Sequence, residues 1–366
     1  MKMPVRILLA VLCAALIVAL PFVVSSPNML YEVKTELMNE EEDYDDEIDF
    51  GRLFLSAAYA EDADVDFEEE DLDAEENGSK SSGNTLPIDF SPAPAPKAEL
   101  YTEDGYEDES ITVKMEHREF DELTMIHIAY IQIADASQLR TGVYKPEKLA
   151  SSKGYPVQVI ARKYNPVIAI NGDNYTNDPK KTTFEYRMGQ LIRSKGNRKK
   201  DVLIIDDQGD FHLYIQSEGL AKGKSKDGKV SWMNAEDWEA ETGRKLINAF
   251  TFGPALVKDG ELLQISDEYG YNPNGREPRA AIGQTGLLSY VLVIVEVKGD
   301  RFSGNCGLSQ HKLAELMHEL GCKQAFNLDG GNSAEMVFGD QIYRGMPSGS
   351  ERDITDIIYF ATAVPE

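Results

Sequence analysis

Two apolar runs, Gln324 to Leu328 and Ala334 to Phe338, are joined by Asp329-Gly330-Gly331-Asn332-Ser333. The runs read as strands, so a carboxylate and a hydroxyl stand where one strand ends and the chain turns sharply. Adjacent glycines there reach positive φ without steric cost and can present bare N–H groups to an anion. A plain glycine-rich hairpin turn is the competing reading, and other parts of the chain separate the two.

Charge divides the 366 residues unevenly. Residues 1–109 hold 28 Asp plus Glu against 6 Lys plus Arg, a balance of −22; against −26 for the whole chain, that leaves only −4 for residues 110–366. With no basic stripe, nucleic acid is excluded as a partner, because its phosphates are bound mainly by Lys and Arg. Lys2 and Arg6 precede an apolar run from Ile7 to Val24, which predicts a signal anchor or signal peptide over residues 1–24. The uncleaved anchor is favoured, since the triplet Ala58-Tyr59-Ala60 lies too far downstream to serve the run. Positive charge before the run and acidic residues after it put the remainder outside the cytoplasm. The expected location is therefore the cell membrane, single-pass with the domain outside, or secreted if the segment is cleaved. Residues 25–110 carry the acidic runs Glu40 to Glu47 and Glu68 to Glu76, then Pro92-Ala93-Pro94-Ala95-Pro96. Such a composition predicts a disordered acidic and Pro-rich tether.

From Ile111 the pattern changes to short strands and turns. Strands are expected at Ile111 to Met115, Met125 to Ile133, Val167 to Ile170, Leu246 to Phe252, Ala280 to Gln284, Tyr290 to Val297 and Ile357 to Ala363. Val202 to Ile205 and Phe211 to Ile215 form a hairpin. Helices are expected at Pro156 to Tyr164, Glu236 to Thr242 and from Ser309, and Lys222 to Lys229 reads as a flexible basic loop. The fold class that follows is α+β: residues 111–366 as a single domain on a mixed, largely antiparallel sheet with a few helices. Cys306 and Cys322 flank the Ser309 helix, whose ends stand about 18 Å apart, whereas a disulfide needs α-carbons within about 7 Å. Two free, buried thiols are expected. His311, Glu315 and His318 share one face of that helix; a solvated polar face is favoured there over metal ligation. No HExxH, paired CxxC or Walker-type loop occurs, so no metal and no cofactor is expected.

Four polar clusters each follow or interrupt an apolar run: Asn171-Gly172-Asp173, Arg279 to Gly283, Asn327 to Ser333, and Glu351-Arg352-Asp353. Together they supply guanidinium, carboxylate, amide and glycine N–H groups, a set suited to an anion. In order along the chain, Asn171-Gly172-Asp173-Asn174-Tyr175, Phe252 to Gly260, Arg279 to Gly283, Gly307-Leu308-Ser309 with the helix after it, and Asn327 to Met336 resemble the motifs of the phosphodiester glycosidase family. The resemblance covers residues 110–366. Asp173 and Asn332 stand where the family has glycines, and Ala334 where it has a hydroxyl.

The resemblance implies hydrolysis of the bond between an anomeric carbon and a phosphodiester oxygen. On that reading Asp329 is the carboxylate facing the sugar, as base or nucleophile, with Glu335 and Asp173 as candidates for a second carboxylate. Arg279, Arg352 and the N–H groups of Gly330 and Gly331 hold the phosphate, while Asn171 and Ser333, with Gly172 beside them, orient sugar hydroxyls or water. Carboxylates about 5 Å apart favour retention and about 6.5 to 9.5 Å inversion. The compartment points to envelope glycopolymers or exopolysaccharide as substrate. Two alternatives stand beside this one: a non-catalytic glycan-binding or envelope-assembly module with the same fold, and, more weakly, a metal-dependent phosphodiesterase cutting the P–O bond.

Overall fold

The computed structural model describes residues 85–365, apart from 152–153, 174–182, 225–229, 299–303, 348 and 350. The apolar run Ile7 to Val24 and the acidic runs of the expected tether lie outside the described residues.

The largest sheet has eight strands, in the spatial order β1 (Gly105–Glu107), β2 (Ile111–Asp121), β3 (Thr124–Ile133), β16 (Ser289–Val297), β15 (Arg279–Gly286), β17 (Gln324–Leu328), β13 (Ala255–Lys258) and β14 (Glu261–Leu262). A second sheet runs β19 (Gln341–Arg344), β18 (Glu335–Phe338), β5 (Ile168–Asn171), β20 (Asp356–Phe360), β4 (Leu139–Val143). A third, within the segment between β5 and β13, runs β7 (Gln190–Ser194), β6 (Phe184–Arg187), β12 (Leu246–Phe250), β8 (Val202–Asp206), β9 (Phe211–Tyr214). Among the described residues every strand pair is antiparallel. The single mixed sheet expected from sequence is thus corrected to several antiparallel ones, among which the chain crosses repeatedly.

Burial on both faces explains the continuous apolar run of β16. Its Tyr290, Leu292 and Ile294 join the core shared with β5, β18 and β20, while Val291, Val293 and Val295 meet Leu313, Ala314 and Met317 of the helix α3 (Gln310–Glu319). Period-two alternation separates the two sets, as a pleated strand requires. Ser309 caps α3 by accepting the Lys312 N–H at 3.1 Å, which satisfies one of the unpaired donors of the first turn. The shorter helices α1 (Val157–Ala161) and α2 (Ala235–Thr242) also fall where expected. Cys306 and Cys322 are buried and form no disulfide with each other.

Two expectations fail. Residues 85–110 are not tether but part of the fold: the buried guanidinium of Arg140 donates to the carbonyls of Pro87 (2.7 Å), Asp89 (2.8 Å) and Ser91 (3.3 Å), and Ala93 and Tyr106 are buried. A proline-rich chain makes few backbone bonds of its own, so a side chain from another strand supplies them. The loop expected from Lys222 contains the edge strand β10 (Ala221–Lys224), paired with β11 (Val230–Trp232).

Candidate functional site

β17 ends at Leu328, and the next residue, Asp329, is buried at 7% exposure. Its carboxylate accepts hydrogen bonds from the Ser333 hydroxyl and the Gly330 N–H. Ser333 is brought back to it because Gly331–Ser333 forms a single 3-10 turn, with Gly331 at φ 62°, a conformation glycine takes without cost. The exposed Arg352 reaches in from the segment before β20 and its Nη1 stands 3.4 Å from the Ser333 Oγ. Burial raises the Asp329 pKa to about 6, against the pull of Ser333, Arg352 and Gly330 and with a further push from Asp173.

Asp173 follows β5 and belongs to a buried cluster the sequence reading did not foresee. Arg187 on β6 stands 3.6 Å from Asp173 and 3.2 Å from Glu185, and its Nε donates to Asp356 at the start of β20. All four side chains are at most 2% exposed. Burial, then the neighbouring Asp173, pushes the Glu185 pKa well up; Asp356 is raised to about 6, again chiefly by burial. Three carboxylates around one guanidinium cannot all ionise cheaply in such surroundings. Gly172 has to be glycine here, since a Cβ would come within 2.5 Å of the Asp356 Oδ1. The Asp173 carboxylate also accepts the N–H groups of Thr251 (2.6 Å) and Phe252 (3.0 Å). It therefore ties the end of β12 to the end of β5, in addition to acting on Asp329.

Several residues expected to touch substrate have other work. Arg279 donates to the carbonyls of Leu308 (2.9 Å), Tyr271 (3.1 Å), Asn272 (2.8 Å) and Gly275 (2.9 Å), so its guanidinium braces the 271–275 loop in place of the phosphate role expected for it. The Gly331 N–H donates to the Pro278 carbonyl at 2.9 Å and that of Gly330 to Asp329, so neither glycine N–H faces an incoming anion. Asn171 is fully buried: its amide donates to the carbonyls of Asp329 (2.8 Å) and Gly172 (3.2 Å) and its oxygen accepts from the Glu335 N–H (3.1 Å). It clamps the turn that presents Asp329 and has no group left to orient a sugar. For Arg279, Asn171 and Gly331 the cause is the same: a buried donor takes a backbone carbonyl that is always present.

Glu335 opens β18 and pairs with Arg344 at 3.0 Å across the β18–β19 hairpin, and Arg344 reaches Glu351 at 3.4 Å. Burial first, then the Glu351 charge, lifts Glu335 to about 7. Ser333 lies in the 3-10 turn, outside the strand that Glu335 opens.

The structure thus gathers Asp329, Ser333 and Arg352, backed by Asp173, at the point where β5, β12 and β17 end and β20 begins. Glu185, Arg187 and Asp356 escaped the sequence reading. A signal was present, for Glu185 and Arg187 alternate with Phe184 and Tyr186 in a strand that is buried throughout. A cavity of about 790 Å³ lies elsewhere, bounded by Tyr101, His117, Arg162 and Tyr343. The polar face of α3 behaves as a solvated one, with Lys312 paired to Glu315 and His311 to Asn274.

The phosphodiester glycosidase family matches residues 164–361, over half of the chain. The SPbeta prophage-derived uncharacterized protein YomE of Bacillus subtilis (strain 168) is 24% identical over 202 residues, 54% of this chain and 28% of that protein; the match spans little more than a quarter of that relative's length. Among solved structures, the catalytic domain of zebrafish N-acetylglucosamine-1-phosphodiester alpha-N-acetylglucosaminidase, auto-inhibited by its pro-peptide, aligns with a TM-score of 0.51 at 15% identity, over 78% of this chain and all of that one. A hypothetical protein from Synechocystis aligns with a TM-score of 0.45 at 15% identity, over 69% of this chain and 62% of its own.

Proposed function

The chain belongs to the phosphodiester glycosidase family, and from that premise we propose that it hydrolyses glycosyl phosphodiesters, breaking the bond between the anomeric carbon and the phosphate oxygen. The observation that carries the proposal is the geometry of Asp329: a buried carboxylate fixed by Ser333 and Gly330, with the exposed Arg352 beside it. A phosphodiester leaves as a stabilised anion, so little acid assistance is needed, and the chemistry rests on a carboxylate opposite the developing oxocarbenium ion. Asp329 does this when ionised, as nucleophile or as the base for water, while Arg352 steadies the departing phosphate through its planar fork. Glu335, whose pKa of about 7 keeps it protonated at mildly acid pH, is the candidate for the second carboxyl.

The N-terminal apolar run supports an extracytoplasmic setting, anchored to the membrane or secreted, and hence envelope glycopolymers or exopolysaccharide as substrate. The second reading, a binding or assembly module on the same fold, draws on the internal pairing of both glycine N–H groups. A panel of glycosyl phosphodiesters offered to the full chain tests the proposal: turnover that disappears in Asp329→Asn supports hydrolysis, and saturable binding without turnover in the wild-type chain replaces the enzyme by the module.

A further inference from the structure

The Arg352 side chain is exposed, yet the chain that carries it is fastened on both sides. Beyond it, the buried Ile354 exchanges both backbone hydrogen bonds with Tyr155, at 2.9 Å each. Gly154 lets the two segments come this close: a Cβ there would stand 3.0 Å from the Cβ of Asp353 and 3.1 Å from the Ile354 carbonyl oxygen. Thr355 then donates its hydroxyl to the Asp173 carbonyl at 2.9 Å. The backbone after Arg352 is thus pinned to the approach to α1 and to the end of β5.

Before Arg352, the fastening is the side chain of Glu351. Its two oxygens accept from the Gln158 amide of α1, each at 3.2 Å, and Oε2 stands 3.4 Å from the Arg344 guanidinium of β19. Both partners are themselves held. The Arg162 Nη2 donates to the Gln158 amide oxygen at 3.2 Å, which leaves the NH2 group to Glu351. The Arg344 Nε donates at 3.0 Å to Glu335, whose side chain is 4% exposed. Glu351 therefore ties the residue before Arg352 to a helix and to a strand from separate parts of the chain.

Charge gives no reason for a carboxylate at this position, since a phosphodiester anion on Arg352 would be repelled by its neighbour. Position does. The Arg352 guanidinium meets the Ser333 hydroxyl at 3.4 Å, too long a contact to aim it, so its direction depends on the backbone it leaves. An arginine on a loose segment gives up that freedom when an anion arrives, whereas one on a fastened segment has given it up already.

We propose that Glu351 is a positioning residue of the site: through Gln158 and Arg344 it fixes the backbone from which Arg352 reaches the phosphate of the substrate. The role takes its substrate from the glycosyl phosphodiester reading, but it requires of the protein only that Arg352 bind a phosphodiester anion.

Two measurements on the full chain test it: the KM for a glycosyl phosphodiester that the wild-type chain hydrolyses, and the affinity for dimethyl phosphate followed by phosphorus NMR line width. Glu351→Ala is expected to raise KM about five- to tenfold with kcat changed by less than about twofold, the pattern of a lost uniform binding contact. It should weaken dimethyl phosphate binding to a similar degree, although loss of a like charge by itself would tighten it. Glu351→Gln keeps an acceptor for Gln158 and Arg344 and should hold KM and affinity within about twofold of wild type. Because Glu351 acts through Arg352, the double variant Glu351→Ala with Arg352→Met should bind no more weakly than Arg352→Met alone, a non-additivity that marks coupled residues. If dimethyl phosphate binding follows this pattern while no glycosyl phosphodiester is cleaved, the Glu351 role stands and the hydrolase reading falls. Unchanged or tighter binding in Glu351→Ala, a Glu351→Gln variant as weak as Glu351→Ala, or losses that simply multiply in the double variant each overturn the role and leave hydrolysis intact. A wild-type chain that neither binds dimethyl phosphate nor cleaves any member of the panel overturns both.

Discussion

Arg187 and Arg352 stand beside carboxylates in the same corner of the fold, and their surroundings separate them. Arg187 is completely buried; it is flanked by Asp173, Glu185 and Asp356, with its guanidinium carbon 4.0 Å from the centre of the Phe250 ring. Arg352 is exposed, and its hydrogen bond to Ser333 is a long one. The first arrangement is a fixed frame: a buried charge whose removal strands its partners. The second is open to a ligand, because an exposed guanidinium can exchange water for phosphate oxygens at small cost. Arg279 makes the same point from the other side, as its place in a polar cluster beside an apolar run suggested substrate and its burial gave it to the backbone. Residue type nominates a site, and accessibility assigns it.

The contrast can be broken most directly at the carboxylates. Asp329→Asn should lower kcat by about a thousandfold or more, equivalent to about 4 kcal/mol of barrier, while thermal stability holds or rises, since a buried carboxylate with a raised pKa opposes folding at neutral pH. A loss of activity accompanied by loss of the folded state would move Asp329 from the open site into the frame. Next in size is Arg187→Leu, expected to destabilise by about 3 to 5 kcal/mol through uncompensated buried carboxylates, with part of the stability regained at pH 5 as they take up protons. Indifference of the melting temperature to this change would mean that the cluster is not a frame. Arg352→Met should do the reverse: KM for a phosphodiester rises about 10- to 100-fold, or about 1.4 to 2.7 kcal/mol, with the melting temperature unmoved. The acid limb of the rate profile should also shift above pH 6, because the Arg352 charge holds the Asp329 pKa down.

The same carboxyls make the intact chain sensitive to pH. Asp329 and Asp356, at about 6, and Glu335, at about 7, all lie above their ordinary values, so the folded state binds more protons than the unfolded one between about pH 4 and 7. Their contribution to stability is complete below about pH 4 and is lost as pH rises through 6 and 7. The melting temperature should therefore fall over that window, while activity, which on the proposed reading needs ionised Asp329, climbs through pH 6. A melting temperature that instead rises steadily from pH 4 to 7 would contradict the buried-acid description.

Local pattern determined much of this protein. Alternation and turn residues are properties of adjacent positions, so the strands around Met125 to Ile133 and Tyr290 to Val297, the Ser309 helix, and the polar turn after Leu328 could be read one after another along the chain. The family followed from the order of five such segments, and Asp329, Ser333 and Arg352 were named on the same grounds. Which donors remain available was decided only in three dimensions. Arg279 and Asn171 are bound by carbonyls and amides contributed by other segments, and residues 85–110 are folded by Arg140 on β4, about 50 positions away. The cluster of Glu185, Arg187 and Asp356 exists because β6 and β20 converge beside Asp173. Hydrogen-bond partners are chosen by distance in space and by burial, and neither quantity is written in the order of residues.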